Sequence, residues 1–362
     1  MTFVRSSKCS LKFATSKKLV ELDTVLTEYG KVCNTFISHF WETGLPSKSE
    51  LLKGVVDIPQ TWLSARLRKV AAREAIDMIL AVKRRWKNKP EKAGMPVHRG
   101  NRMVLGCTIA ELQLGENYFD GWLHLSSIGN KVILDIPIKF HKQFNRLLRI
   151  GSRLNSYVVT RDYVQFCFEV LATEKPNKTE SIGIDTGIKS LASLSNSTKL
   201  GTGVEVKIEA IKRCKQGSVR QKRLRRSLRQ SMDEVARDII SLNPEAVVLE
   251  DLRGISHGTK LKRRLSKNMR RSIGSWNMRY WHNRLKQRCE ENRIRFVTVP
   301  AAYTSTSCPI CGHSNRKNRV TQSKFRCQQC GHADDADLNA ARNILTRFLS
   351  PAYGRGCEAK IT

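Results

Sequence analysis

Acidic residues are scarce in this chain. Asp and Glu number 32 against 65 Lys and Arg, a formal net charge of +33 at pH 7 over 362 residues. A small domain needs a charge of magnitude only about 2–8 for solubility. The excess therefore predicts a polyanionic partner, and nucleic acid is the favoured one. Long apolar runs are lacking too. No stretch approaches the roughly 20 residues of a spanning helix, which argues against a membrane partner. The opening residues, Met1-Thr2-Phe3-Val4-Arg5, lack the apolar core of a secretory signal. No internal repeat is visible. Seven of the eleven cysteines (Cys9, Cys33, Cys107, Cys167, Cys214, Cys289 and Cys357) follow no spacing pattern. An odd remainder without pattern reads as free thiols in a reducing cytoplasm. A hydrophobic content of 40% excludes a disordered tail, and the length suffices for two or three domains with real cores.

The other four cysteines do carry a pattern. Cys308-Pro-Ile-Cys311 and Cys327-Gln-Gln-Cys330 are separated by fifteen residues. Each Cys-x-x-Cys knuckle places two thiolates on one tight turn, and two knuckles close a tetrahedron, the ligand set of one structural Zn²⁺. Gly312 and Gly331 directly follow the knuckles, where the turn needs a positive φ. The competing reading is two unrelated redox pairs.

Periodicity divides the rest. Residues 3–13 read as a strand. From Lys17 to about Trp41 the apolar period becomes helical, and a second helix is expected from about Pro59 to Trp86. Residues 87–96 look like a linker. From about Arg102 to Leu171 the pattern is strand-like, with strands expected at 103–109, 121–125, 131–136, 156–160 and 164–170 and a short helix at 139–149. A small β-barrel fits, with the helical pair inserted after its first strand. In the second half, strands are expected on both sides of Asp185, at 246–252 and at 295–300, with long basic helices at about 208–242 and 268–292.

Three carboxylates terminate apolar segments in this half. Asp185 ends a β-branched run ahead of Gly187, where backbone can approach closely. Glu250 ends the buried-looking Val247-Val248-Leu249, and an acid there is costly unless paired or metal-bound. Asp337 opens an Ala-rich helix. Each has a plainer reading. Glu250 could pair with an arginine such as Arg253, and Asp337 could serve the helix dipole alone. Together, hard oxygen ligands from separate elements suit two Mg²⁺ held about 3.5–4 Å apart for phosphodiester hydrolysis.

Gly-Ile-Asp185-Thr-Gly, Leu-Glu250-Asp-Leu, Tyr303-Thr-Ser-Thr-Ser-Cys-Pro-Ile-Cys-Gly and Asp337-Leu-Asn-Ala-Ala, in this order, resemble TnpB, a family of transposon-encoded, RNA-guided DNA endonucleases related to compact type V CRISPR effectors. The motifs cover about residues 181–345, and the N-terminal half agrees in layout. The resemblance implies an α+β multidomain protein. Residues 179–302 and 334–350 would form an RNase H-like (RuvC) α/β nuclease core, and 303–333 a target-binding zinc ribbon. Residues 1–16 and 98–178 would form a wedge β-barrel and 17–97 a helical recognition lobe, with 351–362 a tail. Asp185, Glu250 and Asp337 would be the catalytic Mg²⁺ ligands, although Asp251, Asp334 and Asp335 lie close to the last two. Guide RNA and target double-stranded DNA are the implied partners, and a prokaryotic cytoplasm, near the nucleoid, the implied place. The interval from Asp185 to Glu250, 65 residues, is short for the family. A compact type V effector and an RNA-guided repressor that binds without cutting are the alternatives, and the intact triad argues against the repressor. An RNA-independent DNA-binding transposition factor is a further reading. No feature sets an oligomeric state.

Basic segments supply candidate nucleic-acid contacts. Lys207 to Arg229 holds ten Lys or Arg and one acid, Glu209, whereas a merely solvated face mixes signs. Arg220, Lys222, Arg223, Arg225 and Arg226 surround that helix. Arg66, Arg68, Lys69 and Arg73 line the outer face of the second predicted helix. A cluster at 260–267 and 270–288 carries Trp276, Tyr280 and Trp281. These rings could stack on bases or anchor the helix.

Overall fold

The computed structural model describes residues 2–47, 54–115, 118–173, 176–251 and 266–350. The chain divides into two compact units, Met1–Leu171 and Ala172–Thr362. Among the described residues no helix is long and apolar enough to cross a membrane.

The first unit opens with strand β1 (Thr2–Ser10) and two long helices, α1 (Ser16–Thr43) and α2 (Ala65–Arg85). The side chains of Thr15 and Ser64 cap them by accepting backbone N–H groups. The predicted start of the second helix at Pro59 moves to Ala65 because Ser64 supplies that cap. On α1 the buried residues Leu22, Val25, Leu26, Tyr29, Val32, Cys33, Phe36, Ile37 and Phe40 recur at three- and four-residue steps. This stripe faces the buried Leu67, Ala71, Ala75 and Ile79 of α2.

The strands β2 (Arg102–Gly106), β3 (Ala110–Leu114), β4 (Gly121–Ser126), β5 (Ile133–Ile138), β6 (Gly151–Thr160) and β7 (Tyr163–Leu171) follow, with α3 (Lys142–Ile150) before β6. They do not close a single hydrogen-bonded barrel. Two antiparallel sheets form instead, ordered β1-β7-β6-β2 and β3-β4-β5. The predicted strand at 103–109 stops at Gly106 and resumes as β3, so the chain changes sheet at this corner. Helices and both sheets share one buried core.

That core contains a carboxylate. Glu74, its side chain 4% exposed, accepts from the Tyr29 hydroxyl and from Arg102 Nε, both at 3.0 Å, and His98 Nε2 lies 3.6 Å away. Burial pushes the Glu74 carboxyl up, but the His98 imidazole and the Arg102 guanidinium outweigh it and hold it below its ordinary value. Cys33, Glu74 and His98 have the residue types of a metal site, with ligand atoms within 4.8 Å of one another. However, His98 Nδ1 accepts the Gly100 N–H, which leaves the ring proton on Nε2, and both Glu74 oxygens already have donors. The cluster is therefore a structural polar network. Glu74→Ala is expected to cost about 2–4 kcal/mol by orphaning the Tyr29 hydroxyl and removing the carboxylate that faces the His98 ring. The half-exposed Arg102 can rehydrate, which keeps the loss below that of a fully buried pair. Urea denaturation checks this, and a loss under about 1 kcal/mol would contradict it.

The second unit is built on a five-stranded sheet ordered β10-β9-β8-β11-β12, where β8 is Ile182–Asp185, β9 Ser190–Leu194, β10 Lys199–Thr202, β11 Ala246–Asp251 and β12 Arg295–Pro300. The pairs β8/β11 and β11/β12 are parallel. Each predicted basic helix is broken in two. The first becomes α4 (Val204–Arg213) and α5 (Val219–Ser241), interrupted at Gly217 with φ +80° and restarted by the Ser218 cap. The second becomes α6 (Lys267–Ser275) and α7 (Met278–Glu291), interrupted at Asn277 with φ +42°. A two-stranded hairpin, β13 (Lys324–Arg326) with β14 (Ala333–Asp335), runs directly into the last helix, α8 (Ala336–Leu349).

Candidate active site and cysteine cluster

Parallel pairing brings two of the predicted acids side by side. Ile184 of β8 lies opposite Leu249 of β11, and the next residue on each strand is an acid, Asp185 and Glu250. Both sit at the carboxyl ends of neighbouring parallel strands, where open α/β sheets place their ligands. Successive strand residues face opposite ways, so Asp251 leaves this cluster. Its charge acts on His282 of α7 instead.

The last helix supplies the third acid. It crosses β8 so closely that a Cβ on Gly183 would stand 2.3 Å from the Ala341 carbonyl oxygen. A close approach is present at Gly187, where a Cβ would stand 3.1 Å from the Ser190 carbonyl oxygen, but the tighter one is at Gly183, which has the shape of a glycine requirement. Asp335 caps this helix by accepting from the N–H groups of Asp337 and Leu338 and also pairs with Lys199 at 2.8 Å. Asp334 is bound to Arg342. The two neighbouring acids are thereby occupied, and Asp337 is left to join Asp185 and Glu250.

The loop ahead of the first knuckle completes the setting. The Thr304 hydroxyl donates to Glu250 Oε1. Asn343 Nδ2 donates to the carbonyls of Thr304 (2.8 Å) and Ser307 (2.7 Å), Asn339 to Ser307 (3.0 Å), and Arg347 to those of Pro300 and Ala302. Asn339, Asn343 and Arg347 thus tie the loop 300–307 to the helix bearing Asp337. Sequence reasoning missed Thr304, and it missed Arg319, whose Nη2 lies 3.8 Å from Asp337 Oδ1. No spacing rule singles out either residue.

Electrostatically the three acids behave as a cluster short of positive charge. Burial, then the charges of Glu250 and Asp337, push Asp185 up to about 8, against the pull of Arg319. Burial raises Glu250 too, opposed by the Thr304 hydrogen bond, Arg347 and Arg319. Burial and Asp335 raise Asp337, opposed by Lys199, Arg319 and Lys189. Without divalent cation, the folded protein holds a proton on Asp185 that the unfolded chain releases, so stability is expected to fall as pH rises from 3.8 to about 8. The slope is at most ~1.4 kcal/mol per pH unit, and Asp185→Asn should flatten it. Denaturation in EDTA across that range checks the sign, and stability rising with pH in parallel for both proteins would contradict it.

The four predicted cysteines converge. Cys308 Sγ lies 3.6 Å from Cys330 Sγ, and Cys311 Sγ 3.5 Å from Cys327 Sγ, and the four sulfurs lie within 4.8 Å of one another. Metal–thiolate bonds of about 2.3 Å in a tetrahedron require sulfurs about 3.8 Å apart. The two knuckles fold alike. Gly312 N–H returns to the Cys308 carbonyl and Gly331 N–H to that of Cys327, with φ of +74° and +73°. The Cys330 backbone N–H stabilises the Cys327 thiolate and lowers its pKa. The cluster can hold a metal ion.

The predicted contact residues are mixed. Arg220, Lys222, Arg223 and Arg226 are exposed and Arg225 half-buried, and none forms an ion pair among the described residues. The first two turns of α5 bury no residue fully; Leu224 packs partly on the core and Leu228 is the first buried residue. Arg66 and Arg73 are exposed and Lys69 half-buried, but Arg68 is taken by Asp57 at 2.6 Å. Trp276 and Trp281 are buried in the core, which makes them anchors and not stacking surfaces. Tyr280 hydrogen-bonds Asp233 at 3.0 Å. Residues 260–265, Arg253 and the tail from 351 lie outside the described residues, as does Cys357; the other cysteines are free.

A family model described as "Cas12f1-like, TNB domain" matches residues 279–344, which contain the whole cysteine cluster and Asp337. The chain is similar to TnpB proteins and to Cas12f effectors. It is 31% identical over 192 residues to a protein of Escherichia coli (strain K12) named as an RNA-guided DNA endonuclease, InsQ, covering 45% of this chain and 48% of that one. It is 30% identical over 131 residues to a TnpB-like protein of Aquifex aeolicus, covering 36% and 42%. The match thus spans about half the length of these relatives or less. A solved Cas12f1-sgRNA-target DNA complex shares the fold at TM-score 0.63 and 14% identity, over 95% of this chain and 98% of that one. The TnpB resemblance read from the motifs is borne out, and the mixed helix-and-sheet architecture resembles that of compact Cas12 effectors.

Proposed function

We propose that the chain is an RNA-guided, Mg²⁺-dependent DNA endonuclease that cuts target double-stranded DNA beside a short flanking motif, with one RuvC-like site. The observation that carries this reading is the convergence of Asp185, Glu250 and Asp337 from two adjacent parallel strand ends and a helix start, all three raised by burial and Asp185 also by the charges of the other two. Buried carboxylates in this state have too little cationic company, and hard divalent ions supply it. Two Mg²⁺ bound there would activate a water and stabilise the leaving 3′ oxygen. Thr304 orients the Glu250 carboxylate, and Arg319 brings a guanidinium to the same acids, placed to meet a phosphate. The names of the relatives and the nucleic acids in the Cas12f1 complex support guide RNA and target DNA as partners.

On this reading residues 179–302 and 334–350 are the RuvC-like core and 303–333 the zinc ribbon. Residues 1–16 and 98–178 are the wedge and 17–97 the recognition lobe, the last two sharing one core. Cys308, Cys311, Cys327 and Cys330 hold one structural Zn²⁺. Arg66, Lys69, Arg73, Arg220, Lys222, Arg223, Arg225 and Arg226 contact phosphates, which fix register while base pairing reads sequence. The similarity to Cas12f1 favours, as a second reading, a compact type V CRISPR effector with the same chemistry. Purification after co-expression with the flanking genomic DNA tests the proposal. RNA of defined sequence should accompany the protein and direct DNA binding to its complement. Protein free of defined RNA would reject RNA guidance.

A further inference from the structure

Tyr303 combines three features that its local structure does not require. Its backbone lies in the left-handed region, φ +63°, where a bulky aromatic side chain is strained. The strain is not offset by burial, because the side chain is 72% exposed. The other aromatic rings of the second unit (Trp276, Tyr280, Trp281, Phe296, Phe325 and Phe348) are buried or half-buried among the described residues. The turn needs only the Tyr303 carbonyl, which accepts the N–H groups of Thr306 (3.1 Å) and Ser307 (3.0 Å). Gly or Asn would hold that backbone with less strain. The fold thus displays a ring where a small residue would be the better choice.

Its place is informative. The next residue, Thr304, donates to Glu250, and consecutive Cα atoms lie about 3.8 Å apart. The exposed residue is therefore the chain neighbour of one that binds the acidic cluster. On the nuclease reading, the substrate reaching that cluster is a DNA strand freed from its duplex, with unpaired bases.

We propose that Tyr303 is a substrate-positioning residue whose ring stacks on the base of an unpaired nucleotide next to the scissile phosphate, without regard to base identity. The inference rests on the nuclease reading for its substrate, and its test has an arm that does not depend on cleavage.

The purified protein with its co-purified RNA is given matched single-stranded DNA in which 2-aminopurine is stepped along the strand. In EDTA, the wild type and Tyr303→Phe should quench the fluorophore at one position. Tyr303→Ala and Tyr303→Gly should not. Equal fluorescence in the wild type and Tyr303→Ala at every position would overturn the proposal. With Mg²⁺, Tyr303→Ala and Tyr303→Gly should raise KM about 10-fold, the loss of one base–aromatic stack, while Tyr303→Phe restores it. A Gly variant that melts higher, its strain relieved, yet keeps the wild-type KM would show the ring has no substrate role. Absence of cutting by the wild type would reject the nuclease reading and leave the fluorescence arm to decide the stacking.

Discussion

Asp185→Ala is expected to abolish cleavage, by about 1,000-fold or more, while RNA retention and target binding stay within a few-fold of the wild type. The asymmetry follows from where the carboxylate sits. Asp185 ends β8, between Glu250 and Asp337, and in the metal-free protein its ionised form is disfavoured by burial and by both neighbours. On the nuclease reading, removing it deletes a shared ligand of the metal site and nothing that holds the sheet. The backbone pairing of β8 with β9 and β11 does not involve the side chain. The variant is also expected to melt no lower than the wild type near neutral pH, because a strained carboxylate is gone. Loss of cutting therefore cannot be ascribed to unfolding if the melting temperature holds. Residual cutting within about 10-fold of the wild type would remove Asp185 from the metal site. Unchanged repression of a promoter target by both proteins, with no cutting by either, would favour the binding-only alternative.

Cys308→Ser is expected to take the zinc content from one ion per chain to nearly none, and cleavage with it. The buried core around the cysteines consists of Cys308, Phe325, Cys327 and Ala336, too few apolar side chains to order some thirty residues without a metal. Zinc binding contributes about 10–16 kcal/mol to the folding of comparable small metal domains. Its loss reaches the catalytic cluster by two routes. Arg319 belongs to the cysteine-bearing segment and lies against Asp337. The β14 strand that closes the segment carries the Asp335 cap that starts the helix bearing Asp337. Metal analysis with a cleavage assay checks both effects. Unchanged zinc would refute the ligand assignment, and zinc loss with full cleavage would refute the coupling.

Much of the second unit was legible because its signals are local and chemical. Cys-x-x-Cys followed by Gly states a turn and its ligands within five residues, and the structure shows both turns. An acid after Val247-Val248-Leu249 was visible as an anomaly, and parallel pairing with β8 explains it. What could not be read depends on contacts distant in sequence. The frame Asp337-Leu-Asn-Ala-Ala pointed to Asp337, but not to the pairing of Asp334 with Arg342 and of Asp335 with Lys199. Arg319 and Thr304 matter only because the loops fold back on the acids. The breaks in the two basic helices rest on single positive-φ positions, Gly217 and Asn277, which an amphipathic pattern passes over. Trp276 and Trp281 look alike as stacking platforms or anchors until burial decides. In the first unit, alternation showed strands but could not assign them to one sheet or two. Nor could it show that Glu74 on the helix carries the buried charge.

Guide-directed cutting tests the central claim most directly. The purified protein, with its co-purified RNA, is incubated with a plasmid library carrying the guide-matched sequence beside randomised flanking bases, with and without Mg²⁺. The account predicts double-strand breaks confined to plasmids that share one short flanking motif, present only with Mg²⁺ and absent when the guide is mismatched. Binding to the matched sequence with no break under any Mg²⁺ concentration, or breaks indifferent to the guide, would contradict it.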